Sequence, residues 1–458
     1  MGKVVAPRLR IRLAIAIGVA AAILGLAGTA FGTGEFKTRL ISLASGAHGA
    51  AANDFSSNPA VSGNGRFVAF QSFATDLSSE DGPYVDVFVR DRKKARTVFV
   101  SRASGLHGAT ASADSTGPSI SADGRFVCFY SSADNLSGAE TDGTSDVFIR
   151  DLEKHKTIFV SRRSGAHGAG GDDSSTDPSI SPSGRSVGFE SGADNLSGSD
   201  DDNFKNAFVR DLQNHKTILV SRASGPHGAG ATGGASENPF PSANGRFVAF
   251  YSRADNLSGA DANGTGSDIF VRDLKKHRTI LVSRASGKFG AGGDGDSFNP
   301  AISADGRFVT FTSNADNLSG ADPNGTGSDV FVRDLRKHRT ILVSRASGKF
   351  GAGGDGASSG HAISAHGDFV AFDSRSDNLS AADANGTGSD VFVRDLEKHK
   401  TILVSRQSGR DGVGGGDDSS NPRISVDGGF VAFESLADNL SGADDNSVEN
   451  IFLRSGPF

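Results

Sequence analysis

A repeat of about sixty residues runs through most of the chain and limits what it can fold into. The motif DGRFVAF and its variants place a glycine at positions 65, 124, 184, 245, 306, 367 and 428, at spacings of 59 to 61 residues. Self-similarity at a fixed period is typical of arrays of equivalent structural units. The repeat therefore predicts seven copies of one unit, even though 458 residues could also accommodate several unrelated domains.

Each unit carries four short apolar segments. In the fifth unit they are Pro300–Ser303, Arg307–Ser313, Asp329–Leu335 and Thr340–Arg345. These segments are rich in Val, Ile, Phe and Thr and are bounded by Gly, Asn, Asp and Ser, which is typical of strands. The second and third do not alternate polar and apolar residues, so both of their faces must be covered. The sequence predicts an all-β, seven-bladed β-propeller with four antiparallel strands per blade.

The two ends of the repeat region complement each other. The seventh unit stops after its third strand, Asn450–Ser455. The missing fourth strand is found near the other end, where Thr38–Gly46 aligns with Thr340–Gly348. We therefore expect an N-terminal strand to complete the last blade and close the ring, which leaves no open sheet edge. The alternative is a linear, open array of seven units.

Residues 1–34 precede the predicted propeller, which we assign to residues 35–458. A basic start is followed by the apolar run Leu13–Phe31, which ends in small residues. This pattern is typical of a secretory signal peptide, and the run is also long enough to remain as an N-terminal membrane anchor. Both readings predict an extracytoplasmic protein that is secreted, periplasmic or on the cell surface.

Composition excludes some classes of function. The single cysteine, Cys128, excludes a disulfide framework and a cysteine-based zinc site, and it is predicted to be inert core. The formal net charge of −6 argues against a nucleic-acid partner. Arg-Asp pairs recur in six units, which favours a structural role in pinning hairpins together; they lie at Arg90-Asp91, Arg150-Asp151, Arg210-Asp211, Arg272-Asp273, Arg333-Asp334 and Arg394-Asp395.

The units resemble a known family. The pattern NPAISADGRFVTFTSNADNL, followed by NGTGSDVFVRDL and TILVSRASG, is similar to the propeller repeats of the TolB-type, WD-repeat-like family of bacterial extracytoplasmic proteins. The resemblance covers residues 38–458 and implies the propeller fold, with partner binding at a propeller face as the expected activity. TolB has an additional N-terminal α/β domain, whereas only the signal and the closing strand precede the first blade here, so its role in envelope assembly is not carried over.

The connections between strands differ in length. Strands one and two, and strands three and four, are joined by short turns such as residues 304–307 and 273–279. Strands two and three, and successive blades, are joined by long segments such as residues 313–329 and 285–299. Alternating strand direction predicts that both long sets emerge on one side, here called the long-loop face. The short turns are basic, as in Lys275, Lys276 and Arg278, and are either solvated turns or a basic face for an anionic lipid or wall polymer.

The long loops contain the pattern DxNGTGSD, a candidate metal site. Its oxygen-bearing side chains stand at spacings that resemble hard-cation loops, so a weak calcium site is possible, with a turn held by Asx hydrogen bonds as the alternative. No other cofactor is indicated. The candidate ligands are Asp261, Asn263, Asp268, Asp322, Asn324, Asp329, Asp383, Asn385 and Asp390.

The channel mouth on the long-loop face is the second candidate site. Acidic residues just before the first strand could surround it and bind a cation or sugar hydroxyls; they are Asp114, Asp173, Asp296 and Asp418. The sixth unit departs from the repeat most sharply, since Gly360-His361 replaces Asn-Pro there. We therefore place His361 at the same mouth.

These features predict a monomeric binding or interaction module that holds an envelope protein or a glycan through the Asp/Asn/Gly-rich long-loop face. Two alternatives stay open. One is an extracytoplasmic lyase, hydrolase or lactonase that uses channel-mouth carboxylates and His361. The other is a structural envelope protein that contacts anionic surfaces, including a membrane, through its basic face.

Overall fold

The computed structural model describes residues 35–458 apart from 81, 139–142, 201–202, 262, 323–324, 326, 384 and 445–446. The predicted signal or anchor, residues 1–34, lies outside the described residues, and the described part forms one compact unit. Within it, none of the helices has the length and hydropathy needed to cross a membrane.

The described residues form seven four-stranded antiparallel sheets, which confirms the predicted propeller. Blades one to three comprise β2 (Ser56–Val61), β3 (Phe67–Ser72), β4 (Asp86–Asp91), β5 (Arg96–Phe99); β6 (Ser115–Ile120), β7 (Phe126–Ser131), β8 (Asp146–Asp151), β9 (Lys156–Phe159); β10 (Ser175–Ile180), β11 (Ser186–Ser191), β12 (Asn206–Asp211), β13 (Lys216–Leu219). Blades four to six comprise β14 (Ser236–Pro241), β15 (Phe247–Ser252), β16 (Asp268–Asp273), β17 (Arg278–Leu281); β18 (Ser297–Ile302), β19 (Phe308–Ser313), β20 (Asp329–Asp334), β21 (Arg339–Leu342); β22 (Ser358–Ile363), β23 (Phe369–Ser374), β24 (Asp390–Asp395), β25 (Lys400–Leu403). Blade seven comprises β26 (Ser419–Ile424), β27 (Phe430–Ser435), β28 (Asn450–Ser455) and β1 (Lys37–Leu40), and three 3₁₀ turns span Asp194–Leu196, Asp316–Leu318 and Asp438–Leu440.

The chain termini close the ring as predicted. Strand β1 pairs with β28 in antiparallel register, with Thr38 opposite Arg454, and it supplies the outer strand of blade seven. The pairing is reinforced by the Arg454 guanidinium, whose Nη1 donates to Thr38 Oγ1 at 2.7 Å. The open linear array is thereby excluded.

Phenylalanine fills the blades in place of tryptophan. Each blade stacks one Phe of its second strand on one of its third strand, with ring centroids 5.6 to 5.9 Å apart. In six of the seven blades the repeated turn glycine lies against a further ring from the preceding blade, and in blade four Gly245 lies against Ser186 instead. Gly306, for example, has φ +73°, and a Cβ there would lie 2.2 Å from a ring carbon of Phe247. The glycine on which the repeat was recognised is therefore required both by the turn and by contact between blades.

The Arg-Asp pairs hold the ring together in two different ways. The aspartate fixes its own hairpin, as where Asp334 accepts from Arg307 Nε at 3.1 Å and from the Lys337 backbone N–H at 3.0 Å. The arginine reaches the preceding blade instead. Arg333 Nη1 donates to the carbonyl oxygens of Arg284 and Ala285, and its Nη2 donates to that of Gly287. The predicted pinning of hairpins thus describes the aspartate, while the arginine clamps adjacent blades.

The linkers between blades do not stay on the long-loop face. The arginine clamp draws each linker against the next blade, where Gly287 N–H donates to the carbonyl oxygen of His338 at 2.7 Å. Equivalent contacts recur in the other linkers, for example from Gly348 to His399. Since His338 and His399 belong to the basic turns, these contacts place the linker tips beside those turns. The expected separation of the two kinds of connection onto opposite faces is therefore incomplete.

Candidate functional site

The first strands of the blades surround a central channel that contains a cavity of about 400 Å³. Each first strand is interrupted near its start by a bulge, and the bulged residue has a positive φ between +30° and +60°. Left-handed backbone favours Asn, Asp and Gly, which are the residue types found there. These ring residues are Asn58, Gly117, Asp177, Asn238, Asn299, Gly360 and Asn421. Because first strands start where linkers arrive, the ring lies at the long-loop end of the channel.

A second set of side chains stands behind the ring. The fifth residue of each second strand lies close to the ring residue of the following blade: Gln71 Oε1 accepts from Gly117 N–H at 2.9 Å, and Glu190 Oε2 accepts from Asn238 N–H at 3.2 Å. The residue type at this position varies although its neighbours in the motif barely change. These backing residues are Gln71, Tyr130, Glu190, Tyr251, Thr312, Asp373 and Glu434.

Blades six and seven concentrate charged groups around His361. His361 is 7% exposed, lines the cavity, and has no hydrogen-bond partner at either ring nitrogen among the described residues. Arg423 also lines the cavity. Burial and the positive charge of Arg423 lower the pKa of His361 to about 3, so its imidazole is neutral at ordinary pH.

Two backing carboxyls face the same cluster. Asp373 accepts from Ser359 Oγ at 2.7 Å, and burial raises the pKa of its carboxyl to about 6. Glu434 accepts from the N–H of Asn58 at 3.3 Å; burial, and then the nearby Glu449 carboxylate, raise its pKa to about 8. At neutral pH the Glu434 carboxyl is therefore mostly protonated and can donate as well as accept hydrogen bonds.

Blades three and four form a second polar cluster on another side of the ring. Lys205 Nζ lies 2.8 Å from Glu190 Oε1, and Tyr251 donates to Glu237 Oε2 at 2.6 Å. Burial and the Glu190 carboxylate raise the pKa of the ring residue Asp177. The channel mouth is therefore asymmetric and carries more carboxyl than basic groups.

The carboxylates predicted to surround the mouth bind backbone groups of the loops. Asp114 Oδ1 accepts from Val85 N–H at 2.9 Å, and Asp296 and Asp418 accept equivalently from Ser267 and Ser389, both at 2.7 Å. Asp173 Oδ1 accepts from the next residue, Ser174, at 2.6 Å. These four side chains are absent from the described cavity lining, whereas His361 belongs to it. Sequence reasoning missed the backing residues, although their variability within a constant motif was a visible signal.

The predicted metal loops bring carboxyls together in pairs. Asp268 and Asp390, at the starts of β16 and β24, are buried and interact with the loop residues Asp261 and Asp383 respectively. Asn263 and Asn385 donate to backbone carbonyls of the neighbouring linkers. Asp329 is likewise buried at the start of β20, downstream of Asp322, and Asn324 lies outside the described residues. No cluster of three or more Asp, Glu, His or Cys in the described part of the chain has metal-binding geometry.

Two aromatic side chains project fully from adjacent linkers. Phe289 and Phe350 are 85% and 87% exposed, and each is covered only by a lysine, with Lys288 Nζ and Lys349 Nζ at 5.4 and 5.5 Å from the ring centroids. The corresponding linker positions of the other blades hold histidine or aspartate. This exposed pair is a further departure from the repeat.

Comparisons with known proteins identify the fold only. No protein-family model matches the chain, and no curated protein matches it. Similar solved structures include TolB from Acinetobacter baumannii (14% identity, TM-score 0.40, covering 74% of this chain and 62% of that chain) and an oligogalacturonate lyase in complex with manganese (12% identity, TM-score 0.48, covering 93% and 98%). A prolyl endopeptidase structure is also similar (12% identity, TM-score 0.48, covering 89% and 51%). TolB proteins are thus among the structural neighbours at low identity, and the chain spans under two thirds of the Acinetobacter TolB.

Proposed function

We propose that this protein is an extracytoplasmic binding module that holds a protein or glycan partner at the long-loop mouth of its channel. One observation carries the proposal: the side chains that differ between otherwise copied blades are concentrated around the channel. Positions that pack the blades are nearly constant because the fold requires them. The backing positions are free of that requirement, so their variation supports selection for a ligand.

The chemistry of the mouth suits a ligand rich in hydroxyl or amide groups. Neutral carboxyls such as Glu434, the imidazole of His361 and the phenol of Tyr130 offer both donors and acceptors. A cavity of about 400 Å³ falls within the usual range of small-ligand pockets and would take one or two sugar rings or amino-acid side chains. The apolar first-strand residues deeper in the channel, such as Ile302 and Ile424, would exclude water below the ligand.

Extracytoplasmic placement rests on the N-terminal sequence. The basic start and the apolar run of residues 13–31 match an export signal or anchor. Fractionation of cells that express the full chain tests this placement. Detection of the protein in the cytoplasmic fraction alone would contradict this part of the proposal.

The binding test uses glycan arrays and pull-down from envelope extract, with three variants of similar expected stability. Replacing Tyr130 or Arg423 by Ala should abolish binding at the mouth. A variant with Lys275 and Lys276 changed to Gln, in a basic turn away from the channel, should bind as well as wild type. If the turn variant loses the partner and the channel variants keep it, the basic-face reading replaces this proposal.

An enzymatic role has one observation in its favour. Burial sets the pKa of Glu434 well above that of a free carboxyl, as in sites where one carboxyl must hold a proton at neutral pH. His361, by contrast, is a weak base at a pKa of about 3. Turnover of a glycan or lactone panel that is lost in both Glu434→Gln and His361→Ala would establish the enzyme; no turnover by wild type would leave the binding module.

A further inference from the structure

The first residue of the third strand differs between blades, and the difference changes which hydrogen bond this residue can make to its long loop. In blades three and seven it is an asparagine. Asn206 Nδ2 donates to Asp200 Oδ1 at 2.8 Å, and Asn450 Nδ2 donates to Asp444 Oδ1 at 3.0 Å. In these two blades an amide hydrogen therefore joins the third strand to the carboxylate of its long loop.

The other five blades have aspartate in the same place, including Asp268 in blade four and Asp390 in blade six. A serine fixes this residue identically in both kinds of blade: Ser221 Oγ donates to Asn206 Oδ1 at 2.6 Å, and Ser405 Oγ donates to Asp390 Oδ1. With Oδ1 fixed, the atom turned toward the loop is Nδ2 in the asparagine blades and Oδ2 in the aspartate blades. An acceptor thus replaces a donor opposite the loop carboxyl.

In blade six this acceptor lacks a donor. Asp390 is 1% exposed, and its Oδ2 is buried with no hydrogen-bond partner among the described residues. The loop carboxyl it interacts with, Asp383, brings further oxygen atoms and no hydrogen of its own when ionised. The buried Asp390 carboxylate and the half-buried Asp383 carboxylate repel each other when both are ionised, unless a positive charge lies between them.

A third oxygen lies in the same loop. Asn385 N–H donates to Asp383 Oδ1 at 3.3 Å, and its amide Nδ2 donates to the carbonyl oxygen of Asp417. The remaining polar atom of this side chain, Oδ1, is buried and has no partner among the described residues. Carboxylate and amide oxygens are the ligands that calcium prefers, with water completing its coordination.

We propose that the loop of blade six binds a calcium ion between Asp383 and Asp390 with help from Asn385. In blades three and seven the asparagine amide takes the place of the ion. With only two carboxylates per site, the dissociation constant should be about 10⁻⁴–10⁻³ M, as in extracellular calcium modules. This inference does not depend on the channel mouth or on its ligand.

The natural asparagine blades supply the test variant. Asp390→Asn recreates the Asn206 arrangement, so the blade should fold without an ion. Isothermal titration of the full chain with calcium chloride up to 10 mM should give saturable heat for wild type, and Asp390→Asn should lower the number of bound ions by one. The loss should also reduce the calcium-dependent rise in melting temperature.

A matched control removes one carboxylate elsewhere. Asp123→Asn changes the same charge in a hairpin turn where Asn64 and Asn244 stand in other blades, and it should keep the full calcium response. Wild type that shows neither heat nor a melting shift at 10 mM calcium would mean that the pair shares a proton instead, and the proposal would be wrong. An unchanged ion count in Asp390→Asn would overturn it as well.

Discussion

Replacing Arg333, one of the arginines that clamp adjacent blades, should destabilise the propeller strongly. Its Nη1 lies 2.9 Å from the carbonyl oxygen of Arg284, 3.0 Å from that of Ala285 and 2.7 Å from Thr340 Oγ1, and its Nη2 lies 3.0 Å from the carbonyl oxygen of Gly287. Arg333→Met keeps most of the unbranched apolar stem of the side chain and removes every donor. The carbonyl oxygen of Ala285 would then lose its donor, while that of Arg284 would keep the hydrogen bond from Thr340 Oγ1.

The size of the effect follows from two opposing terms. A hydrogen bond from a charged donor contributes about 1.5–3 kcal/mol, and the substitution removes all of those that Arg333 donates. Against this, burial, and then the nearby Arg284 charge, lower the pKa of Arg333 to about 10. Keeping Arg333 charged in the folded protein therefore costs roughly 3 kcal/mol, and the substitution removes this cost. The net loss of unfolding free energy in Arg333→Met should be about 3–5 kcal/mol.

Urea denaturation followed by far-ultraviolet circular dichroism measures this loss, since the chain has no tryptophan to report by fluorescence. Arg333→Lys retains one cationic donor and should lose about 1–2 kcal/mol. Arg336→Ala, in the same hairpin, removes only an exposed ion pair with Asp305 at 3.3 Å and should change stability by under about 0.5 kcal/mol. Arg333→Met within about 1 kcal/mol of wild type would refute the clamp.

Three further outcomes are expected. Deleting Lys37–Leu40 removes the outer strand of blade seven and should abolish the cooperative thermal transition seen by calorimetry; unchanged melting would contradict ring closure. The folded state holds the Glu434 proton up to about pH 8, whereas the unfolded chain releases it near pH 4.5, so the free energy of unfolding should fall as pH rises between these values. In urea titrations, the stability of Glu434→Gln relative to wild type should therefore rise by about 2–5 kcal/mol between pH 5 and 9. A difference that stays constant with pH would contradict this prediction. Gly360→Ala places a Cβ 1.8 Å from Asp373 Oδ2 at φ +30° and should lower the free energy of unfolding by about 2–3 kcal/mol. In a double-mutant cycle, Asp373→Ala should recover part of this loss, and additive losses would argue against the contact.

Most of the fold was predictable because the same pattern of strands and turns occurs seven times in the sequence. The spacing of the turn glycines, the four strand segments and the match between Thr38–Gly46 and Thr340–Gly348 determine blade number and closure without any side-chain geometry. The loop pairs such as Asp383 and Asp390 were also recognisable as oxygen-rich segments. The hydrogen bond that asparagine makes to the loop carboxylate in blades three and seven was not predictable. The exchange of an acceptor for a donor can be interpreted only when the structure shows that the two side chains face each other.

The channel site was harder to predict for a physical reason. The Asn-Pro dipeptide predicts a strand start, yet it forms a bulge that turns Asn58 and its equivalents into the channel. Acidic residues next to this start, such as Asp296, were expected at the mouth and instead hold the N–H groups of neighbouring loops. A sequence gives the side-chain order along a strand, but one extra residue in the pairing changes which side chains reach the cavity.

The arginine clamps always point in the same direction around the ring, from each blade to the one before it. Arg90 of blade one continues this order, since it donates to the carbonyl oxygens of Ala44 and Gly46, which follow β1 of blade seven. A linear array of repeats has two outermost members that can peel away at little cost. The closed ring has no outermost blade, because each blade is bound by the arginine of one neighbour and binds its other neighbour through its own arginine. Detaching any single blade therefore breaks two interfaces at once, so the molecule should open rarely and then all together, which would limit cleavage by proteases.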